Sequence, residues 1–520
     1  MQVISAAQAG ELLQDNWTIA TAGFVGAGHA EALSRAIEER FLATGHPRNM
    51  TLVYAAGQGD RISKGIARFA REGFLKRVVG GHWLGGGPRM AALVADNKIE
   101  AYNLPQGVIA HLYRAIAGGK PGVITKIGLH TFIDPRIEGA RLNEAAQAEA
   151  IVDVVTLRGE EYLFYPSFPI HVGLIRGTSA DPAGNISAEH EPLTQDMLGI
   201  AQAARNSGGI VIAQVKRLTG MHEVPLAQVR VPGVLVDYVV VAEDEQDGWM
   251  TYAEPHNPAY NGEMQRPASD IDPEPLSLRK IIQRRALLEL VALAAKAPRP
   301  PVVNVGTGMP AGIGRLAREE GVSRFVFTVE SGPTGGFPTD APSFGTATNP
   351  ESIISHAEQF DFYDGGGLDV SFLGLAEVDN LGNVNVSRFG SKVAGVGGFV
   401  NITQSARHIV FMGALTAGGL EVASGDGKLK IVKEGRVKKV VEKVGQLSFN
   451  GPYCEKLGIT VKYVTERAVF EMRHGKLTLI EIAPGIDLQR DVLAQLDTDV
   501  AVAHDLALMD ARVFFEKPML

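Results

Sequence analysis

Apolar runs of strand length alternate with helical patterns along most of the 520-residue chain. Residues 18–39 and 301–320 show the order most clearly: an apolar, β-branched run, a glycine-rich loop, then apolar residues at helical spacing. The first part of this pattern predicts a buried strand and the last part a helix. Strands that alternate with helices are typical of parallel sheets covered by helices. We therefore predict an α/β fold with mainly parallel sheets.

One segment breaks the alternation. Residues 253–277 are rich in proline, polar and acidic residues and have no apolar periodicity, which indicates a linker or a surface excursion. The next segment, residues 278–297, has apolar residues at helical spacing and begins a new unit. We predict an N-terminal domain over 1–255, a linker over 256–277 and a C-terminal domain over 278–520.

The two predicted domains resemble each other. At a constant offset of 198 positions, residues 170–187 align with residues 368–385, and the D-x-x-G-N motif at Asp181 meets the same motif at Asp379. A repeat this long indicates duplicated domains, because solenoid repeats are only about 20–50 residues long. We therefore expect two homologous open α/β domains that pack against each other with a cleft between them.

The composition is that of a folded globular protein and narrows the function. The chain has 50 Lys and Arg against 58 Asp and Glu, a net charge of −8, which argues against nucleic acid as the main partner. Its single cysteine, Cys454, excludes an internal disulfide framework, and we expect a buried thiol there. We find neither a secretory signal nor an apolar run of about 20 residues, so we expect a cytoplasmic protein without a membrane span.

Glycine is over-represented, with 60 residues in 520 against about 7% in an average protein. Three clusters follow predicted strands: Gly23–Gly28, Gly306–Gly308 and Gly395–Gly398. Such loops expose backbone N–H groups that bind phosphate, carboxylate or a developing oxyanion. Each cluster alone is also compatible with a tight turn, but three at strand ends favour a ligand-binding cleft. His29, next to the first cluster, is a candidate for facing the ligand.

The second cluster also fits a dinucleotide-binding motif. Residues 306–311 match G-x-G-x-x-[GA] after a predicted strand, and Glu330 follows 24 positions after Gly306, near the spacing of a ribose-binding acid. The corresponding loop in the first half has a different spacing, and Glu330 is followed at once by Ser-Gly-Pro-Thr-Gly-Gly. A nucleotide-binding protein is therefore an alternative, but a weaker one.

Glu330 is the strongest candidate for chemistry. It ends a predicted strand over 324–330, and ligands bind at the carboxyl ends of strands in open α/β sheets. When the two halves are aligned at this strand, Ala55 takes the place of Glu330. Loss of the acid from one copy indicates a single active site per chain. The alternative for Glu330 is that it is an ordinary surface or ion-paired glutamate without a chemical role.

Several motifs together resemble one known family. They are ESGPTGG at Glu330, GVGGFVN at 395–401, LPQG at 104–107 and a D-x-x-G-N turn in each half. This combination is similar to the family I coenzyme A transferases over essentially the whole chain, and within that family to the bacterial propionate or acetate CoA-transferases. The resemblance implies an alpha-type first domain and a beta-type second domain, with the active site in the cleft between them.

The resemblance implies that Glu330 is the nucleophile. In such enzymes the glutamate attacks an acyl-CoA thioester and then carries CoA as a glutamyl thioester until a second carboxylate takes it, so the kinetics are ping-pong. A glutamate with its ordinary pKa of about 4.3 is ionised at neutral pH and needs no general base. Coenzyme A is then both substrate and covalent intermediate, and no metal or permanently bound cofactor is expected.

The resemblance also implies the rest of the site. The expected oxyanion donors are the Gln106 side chain and the backbone N–H of Gly397 or Gly398. The acyl pocket is expected to be lined by Val25, Gly26, Ala27 and Gly28, and the CoA moiety to meet Gly306, Gly308 and Met309. The expected partners are an acyl-CoA, a short-chain carboxylate and further copies of this chain in a dimer or tetramer. If water replaced the acceptor acid, the same scaffold would be an acyl-CoA hydrolase.

Overall fold

The computed structural model describes residues 1–267, 273–390 and 392–520. The α-helices are α1 (Ala6–Glu11), α2 (Glu31–Thr44), α3 (Gly87–Ala95), α4 (Gln106–Ala117), α5 (Met197–Asn206), α6 (Leu278–Lys296), α7 (Gly312–Glu319), α8 (His356–Asp364), α9 (Phe399–Ser405) and α10 (Gly451–Lys456). Among the described residues, no helix has the length and apolar character that a membrane span requires.

The first half forms a sheet in which all neighbouring strands are parallel. Its strands are β1 (Gln2–Val3), β2 (Thr18–Thr21), β3 (Met50–Tyr54), β4 (Leu75–Gly80), β5 (Glu100–Asn103), β6 (Val172–Arg176), β7 (Ile210–Val215) and β8 (Tyr238–Val241). They lie in the order β1-β8-β7-β6-β2-β3-β4-β5. The central strands β2, β3 and β6 are almost completely buried, as strands of a covered parallel sheet are.

The second half forms a longer sheet with a parallel centre and antiparallel pairs on both sides. Its strands are β9 (Val302–Val305), β10 (Val326–Thr328), β11 (Pro333–Thr334), β12 (Ser352–Ile353), β13 (Val370–Gly374), β14 (His408–Met412), β15 (Thr460–Val464), β16 (Ala468–Arg473), β17 (Lys476–Ile482) and β18 (Ala501–Leu508). They lie in the order β12-β11-β10-β9-β13-β14-β15-β16-β17-β18.

The two sheets repeat one arrangement. The run β8-β7-β6-β2-β3 in the first sheet corresponds to the run β15-β14-β13-β9-β10 in the second. Val172 pairs with Ile210, and Val370 pairs with His408. Both members of the first pair are 198 positions from those of the second, so the offset found in the sequence also holds between paired strands. The predicted fold class, two homologous α/β units with mainly parallel sheets, is confirmed.

Each half also has the same short hairpin, which follows β6 in the first half and β13 in the second. In the first, the Asn185 side chain donates to the Asp181 carboxylate at 2.8 Å; in the second, Asn383 donates to Asp379 at 3.0 Å. The same two aspartates also accept backbone N–H groups of their own turns. The D-x-x-G-N motif is therefore a turn that holds itself together, which explains its presence in both copies.

The carboxyl end of the edge strand β5 and the turn after it join the first half to the 395–398 loop of the second half. The Asn103 side chain donates to the Gly81 carbonyl at 2.6 Å and accepts the Val396 N–H at 3.0 Å. Three residues further on, the Gln106 N–H donates to the Gly397 carbonyl at 2.9 Å. Backbone contacts of this kind fix the relative position of the loops that carry the predicted site residues.

The predicted linker over 256–277 includes residues 268–272, which lie outside the described residues. Beyond it, α6 begins at Leu278, close to the predicted start, and Ser277 caps it by accepting the Lys280 N–H at 3.2 Å. The boundaries of the two domains stay a prediction.

Candidate active site

One cavity is lined by residues from both halves. Of the predicted site residues, it is lined by Val25, Gln106, Gly306, Glu330, Gly397 and Gly398. Most of these follow closely after β2, β5, β9 or β10, at the edge of the sheet where ligands bind in open α/β folds. The cavity therefore lies where the sequence analysis expected the active site.

A tight turn holds Glu330 at the cavity. The turn connects β10 to the antiparallel strand β11: the Gly332 N–H donates to the Val329 carbonyl and the Val329 N–H to the Pro333 carbonyl, both at 2.9 Å. Glu330 follows Val329 in this turn, and only 9% of its surface is exposed. The short hairpin thus carries a carboxylate out of the sheet and into a space that excludes most water.

Burial changes the acidity of Glu330. Loss of hydration raises the pKa of its carboxyl group to about 7, although the nearby His356 and hydrogen bonds with Asn304 and Gln106 lower it. At neutral pH only about half of these groups are ionised. The expectation of an ordinary glutamate with a pKa near 4.3 is therefore wrong, because it took no account of burial.

A buried polar network supports Glu330 from below. The Ser371 hydroxyl donates to Asn304 Oδ1 at 3.1 Å, Asn304 Nδ2 donates to the Tyr363 hydroxyl at 3.3 Å, and Tyr363 donates to Thr328 Oγ1 at 2.8 Å. Asn304, Thr328 and Ser371 lie on the neighbouring strands β9, β10 and β13. The sequence analysis missed this network, although a polar residue inside each of three apolar strands was a visible signal.

Gln106 is held by both its backbone and its side chain. It begins α4, and its side-chain Nε2 lies 2.9 Å from Nε2 of His356. The other ring nitrogen of His356, Nδ1, lies 2.9 Å from the Asp196 carboxylate. The sequence analysis missed His356 and Asp196, because each is unremarkable in its own segment and only the fold brings them together.

The GVGG loop offers one backbone donor rather than two. The Gly397 N–H already donates to the Gly81 carbonyl at 2.8 Å, so it is not available to an oxyanion. Within the described residues, the Gly398 N–H has no hydrogen-bond partner, and Gly398 lines the cavity at the start of α9. Of the two candidates, only Gly398 therefore keeps an available N–H, and its role as an oxyanion donor stays a prediction.

The Val25 loop reaches the cavity with two residues, Phe24 and Val25. Val25 has a φ of +50°, which is uncommon for a β-branched side chain, and its N–H donates to the Gly57 carbonyl at 2.7 Å. Residues 26–28 are not among those that line the cavity; the Gly26 carbonyl accepts the Tyr252 N–H at 2.9 Å instead. These residues hold the loop in which Val25 keeps its unfavourable positive φ.

The 306–309 loop forms part of the cavity rim. Gly306 and Thr307 line the cavity, whereas Gly308 and Met309 do not. Gly308 has a φ of +79°, and a Cβ atom built on it would meet no atom within 4 Å, so the loop is open to solvent at this point. The loop is therefore placed for a long ligand that leaves the cavity at its edge.

Two histidines near the site differ in role. His82 lines the cavity, and burial, together with the nearby positive charge of Arg61, lowers its pKa to about 4. It is therefore neutral at pH 7. His29 is not among the cavity-lining residues: its Nδ1 lies 2.7 Å from Gln58 Oε1 and its Nε2 3.0 Å from Ser34 Oγ, so both ring nitrogens have partners.

The last two features to consider are the single cysteine and possible metal-binding clusters. Cys454 is buried, as expected, with its sulfur 3.7 Å from the Thr403 carbonyl, and burial raises its thiol pKa well above the ordinary value. In the part of the chain that the structure describes, no group of three or more His, Cys, Asp or Glu side chains could hold a metal ion.

Fold and site together define a class of protein. Two homologous α/β sheets meet at one cavity, in which a buried carboxylate faces side-chain and backbone amides. Such a set of groups suits chemistry at an acyl or carboxyl group, in which negative charge develops on an oxygen.

Known proteins agree with this class. A family model described as Coenzyme A transferase matches residues 3–242. Caffeate CoA-transferase of Acetobacterium woodii is 44% identical over 520 residues, covering 99% of this chain and 97% of the relative. Acetate CoA-transferase YdiF of Escherichia coli O157:H7 is 41% identical, covering 99% and 96%. The crystal structure of the acyl-CoA transferase (YdiF) apoenzyme from that organism, also 41% identical, has a TM-score of 0.92 and covers 100% of this chain and 97% of its own.

The chain belongs to the coenzyme A transferase family. It is an enzyme that transfers coenzyme A between an acyl-CoA and a carboxylate.

Proposed function

We propose that this enzyme moves CoA between a short-chain acyl-CoA and a short-chain carboxylic acid of the acetate or propionate type, through a glutamyl-CoA thioester on Glu330. The observation that carries the proposal is the Glu330 carboxylate, buried in the cavity with Gln106 and Gly398 beside it. The acetate CoA-transferase YdiF, 41% identical over the whole chain, supports the short-chain acid.

The reaction begins with attack by a carboxylate. An oxygen of ionised Glu330 adds to the thioester carbonyl carbon, the C–S bond breaks, and CoA leaves as a thiolate, which gives an acyl-glutamyl anhydride. The thiolate then attacks the glutamyl carbonyl carbon, and the first acid leaves as a carboxylate. A second carboxylate reverses both steps. One negative charge is present throughout, and the thioester bond energy is kept.

Each addition creates an oxyanion that needs hydrogen-bond donors. The Gln106 amide and the Gly398 N–H line the same cavity from opposite halves of the chain, and we assign both to this role. One such donor is typically worth about 10²–10³ in rate. Burial serves the same reaction, because a poorly hydrated carboxylate is the stronger nucleophile once it is ionised.

The long arm of CoA is expected to leave past the 306–309 loop and Arg61. A second cavity shares Arg61 and Leu84 with the first and adds Lys392 and the face of α3. Arg61 and Lys392 are both exposed at this cavity, so both are available to phosphates. Arg61→Gln and Lys392→Gln should each raise KM for the acyl-CoA several-fold with little change in kcat; unchanged KM in both would remove the phosphates from this cavity.

The wall of the cavity favours acids with one carboxylate and an apolar body. Its apolar lining includes Phe24, Val25, Phe344, Leu373 and Phe399. With Arg61 assigned to the CoA phosphates, a second charged group on the acid would be buried here without a partner. The aromatic side chains, and the 44% identity to a caffeate CoA-transferase, favour an aromatic acid as a second candidate acceptor. Comparing kcat/KM for acetate, propionate and caffeate with one acyl-CoA donor decides between them.

The central test uses propionyl-CoA and acetate without ATP. We expect acetyl-CoA to form, and mass spectrometry of protein treated with acyl-CoA alone to find CoA attached to Glu330. If no acid tried were converted to its own CoA thioester, the transfer reaction would be overturned. If thiol release were as fast without an acceptor acid, the enzyme would be a hydrolase.

A matched variant controls this test. Glu138 is another glutamate with a raised pKa; its carboxylate accepts a hydrogen bond from Gln446 at 2.7 Å, and it does not line the cavity that holds Glu330. Glu138→Gln should leave transfer unchanged, whereas Glu330→Gln should abolish it.

A further inference from the structure

A buried histidine–aspartate pair lies directly behind Gln106. His356, the first residue of α8, is 0% exposed, and its Nδ1 is 2.9 Å from Oδ2 and 3.1 Å from Oδ1 of Asp196. Asp196 belongs to the first half and immediately precedes α5. On the other side of the ring, Nε2 faces Gln106 at 2.9 Å. Side chains from both halves therefore form one hydrogen-bonded chain that ends at the cavity.

The Asp196 carboxylate determines which ring nitrogen carries the hydrogen. A carboxylate only accepts hydrogen bonds, so Nδ1 of His356 donates to it. Nε2 is then the nitrogen left to accept, and the Gln106 amide nitrogen, 2.9 Å away, presents one of its two N–H bonds to it. The amide nitrogen cannot be exchanged with the amide oxygen in this arrangement, because an oxygen facing Nε2 would find no donor there.

Packing keeps the histidine ring from turning away. The Phe24 ring lies edge-on to it with the centroids 6.1 Å apart, and the Phe360 ring does so at 5.3 Å. The Gln106 backbone is fixed as well, by its N–H bond to the Gly397 carbonyl. With both ends of the contact fixed, the orientation of the Gln106 amide depends on the ring nitrogen that it meets.

We propose that Asp196 and His356 are positioning residues that hold the Gln106 amide with its other N–H directed at the reacting centre. The proposal rests on the proposed function, in which Gln106 stabilises the oxyanion. Neither residue touches the reacting atoms, and both act through Gln106. The pair is a counterpart, in an amide-based site, of the way a buried carboxylate fixes a histidine tautomer in other enzymes.

The test is Asp196→Asn, which keeps the size of the side chain. An amide at this position can donate to Nδ1, which moves the ring hydrogen to Nε2 and turns Nε2 into a donor. The Gln106 amide must then rotate and present its oxygen to the ring. We expect kcat to fall by about ten- to a hundredfold, less than the loss of a whole oxyanion donor, with KM for the acyl-CoA within about twofold.

A double-variant cycle separates positioning from general damage. In a Gln106→Ala background, Asp196→Asn should change kcat by less than about twofold, because the group that it positions is gone. If the two effects multiply instead, the proposal is wrong. Should Asp196→Asn fail to fold, His356→Gln, whose side-chain oxygen can accept from Gln106, serves in the same cycle and should retain more activity than His356→Leu.

Helices α4 and α8, which begin at Gln106 and His356, also provide a control. His111 on α4 meets Asp361 on α8, with His111 Nε2 3.0 Å from an Asp361 oxygen, but neither lines the cavity. Asp361→Asn should leave kcat unchanged. Loss of kcat in Asp361→Asn equal to that in Asp196→Asn would show that any disturbance between these helices has this effect, and would overturn the proposal.

Failure of the inference and failure of the proposed function give different results. If Glu330→Ala kept its turnover, the proposed function would be wrong. If Glu330→Ala lost turnover and Gln106→Ala were slowed, while Asp196→Asn kept the wild-type kcat, only the positioning role would be lost.

Discussion

The two halves of this enzyme share one sheet order but end the same strand differently. In the first half Ala20 pairs with Val53, and in the second Asn304 pairs with Thr328. Two residues beyond each partner stand Ala55 and Glu330. The strand register therefore supports the alignment made from sequence, and it places an alanine and a glutamate at equivalent points of the two sheets.

The difference extends below the strand ends. Beneath Glu330 lie Asn304, Thr328 and Ser371, which are hydrogen-bonded through Tyr363. Their counterparts by register in the first half are Ala20, Val53 and Gly173, none of which has a polar side chain. The buried carboxylate and the polar groups that support it are thus present together in one copy and absent together from the other.

The strand next to Ala55 or Glu330 determines whether that position is open to the cavity. In the first half the parallel strand β4 ends beside β3, and a Cβ atom built on Gly81 would come within 2.1 Å of the Ala55 carbonyl oxygen. Ala55 is 1% exposed. In the second half the chain turns back at once into the antiparallel strand β11, which leaves Glu330 at the cavity. Duplicated sheets can therefore take different roles through the connection that follows one strand.

Moving the acid from one half to the other is expected to have the largest effect. Glu330→Ala should lower kcat by about 10⁴-fold or more, since the nucleophile is lost. Adding Ala55→Glu to this variant should restore nothing, because Gly81 covers that strand end. Steady-state formation of acetyl-CoA measures both. Recovery of activity in the double variant would show that the halves are interchangeable.

The pH dependence is the next largest effect. Because burial raises the pKa of Glu330 to about 7, and only the ionised form attacks, kcat/KM for the acyl-CoA should fall about tenfold per pH unit below 7. Above pH 7 the profile should be flat until another group titrates. A profile that stays flat down to pH 5 would mean that Glu330 is not desolvated when it reacts.

Asn304→Ala makes the second half resemble the first at one position. The variant removes a hydrogen bond that lowers the pKa of Glu330, so the midpoint of the pH profile should move upward and kcat/KM at pH 7 should fall about tenfold. Ser371→Ala, which removes a contact to Asn304 and none to Glu330, should shift the profile less in the same direction. An unchanged midpoint in Asn304→Ala would contradict the supporting role of the network.

Stability should respond to the same carboxylate in the opposite sense to activity. A carboxyl group whose pKa is raised by folding stabilises the protein below its unfolded pKa, and this contribution is lost as the pH rises through about 7. Glu330→Gln is neutral at every pH. At pH 8 its free energy of unfolding should therefore exceed that of the wild type by on the order of 1–3 kcal/mol, and it should unfold at a higher temperature. At pH 4 the two should agree. A lower unfolding temperature at pH 8 would contradict this account.

Local patterns were sufficient for the fold and for part of the site. The helix at 278 and the 198-position repeat were visible in the sequence because strand and helix periodicity are local properties. Glu330 and Gln106 were found through motifs, and the structure brings them to one cavity. Local patterns therefore indicate which segments lie at strand ends and come together at the site.

Properties that depend on distant partners were not predictable. His356 and Asp196 are 160 positions apart and lie in different halves. Gly397 and Gly398 are alike in sequence, and they differ only because a carbonyl at Gly81 occupies one N–H. The raised pKa of Glu330 depends on how much water the finished fold excludes. Each of these requires the packed structure, not the segment.

The continuous chain between the halves has a consequence for dilution. The cavity is lined by loops from both halves, and both halves belong to one polypeptide. A short tether gives its two ends an effective concentration in the millimolar range, far above that of an enzyme in a cell. Each half therefore meets its complement in a fixed one-to-one ratio, and the specific activity of this assembly should not depend on the stoichiometry of separately made parts.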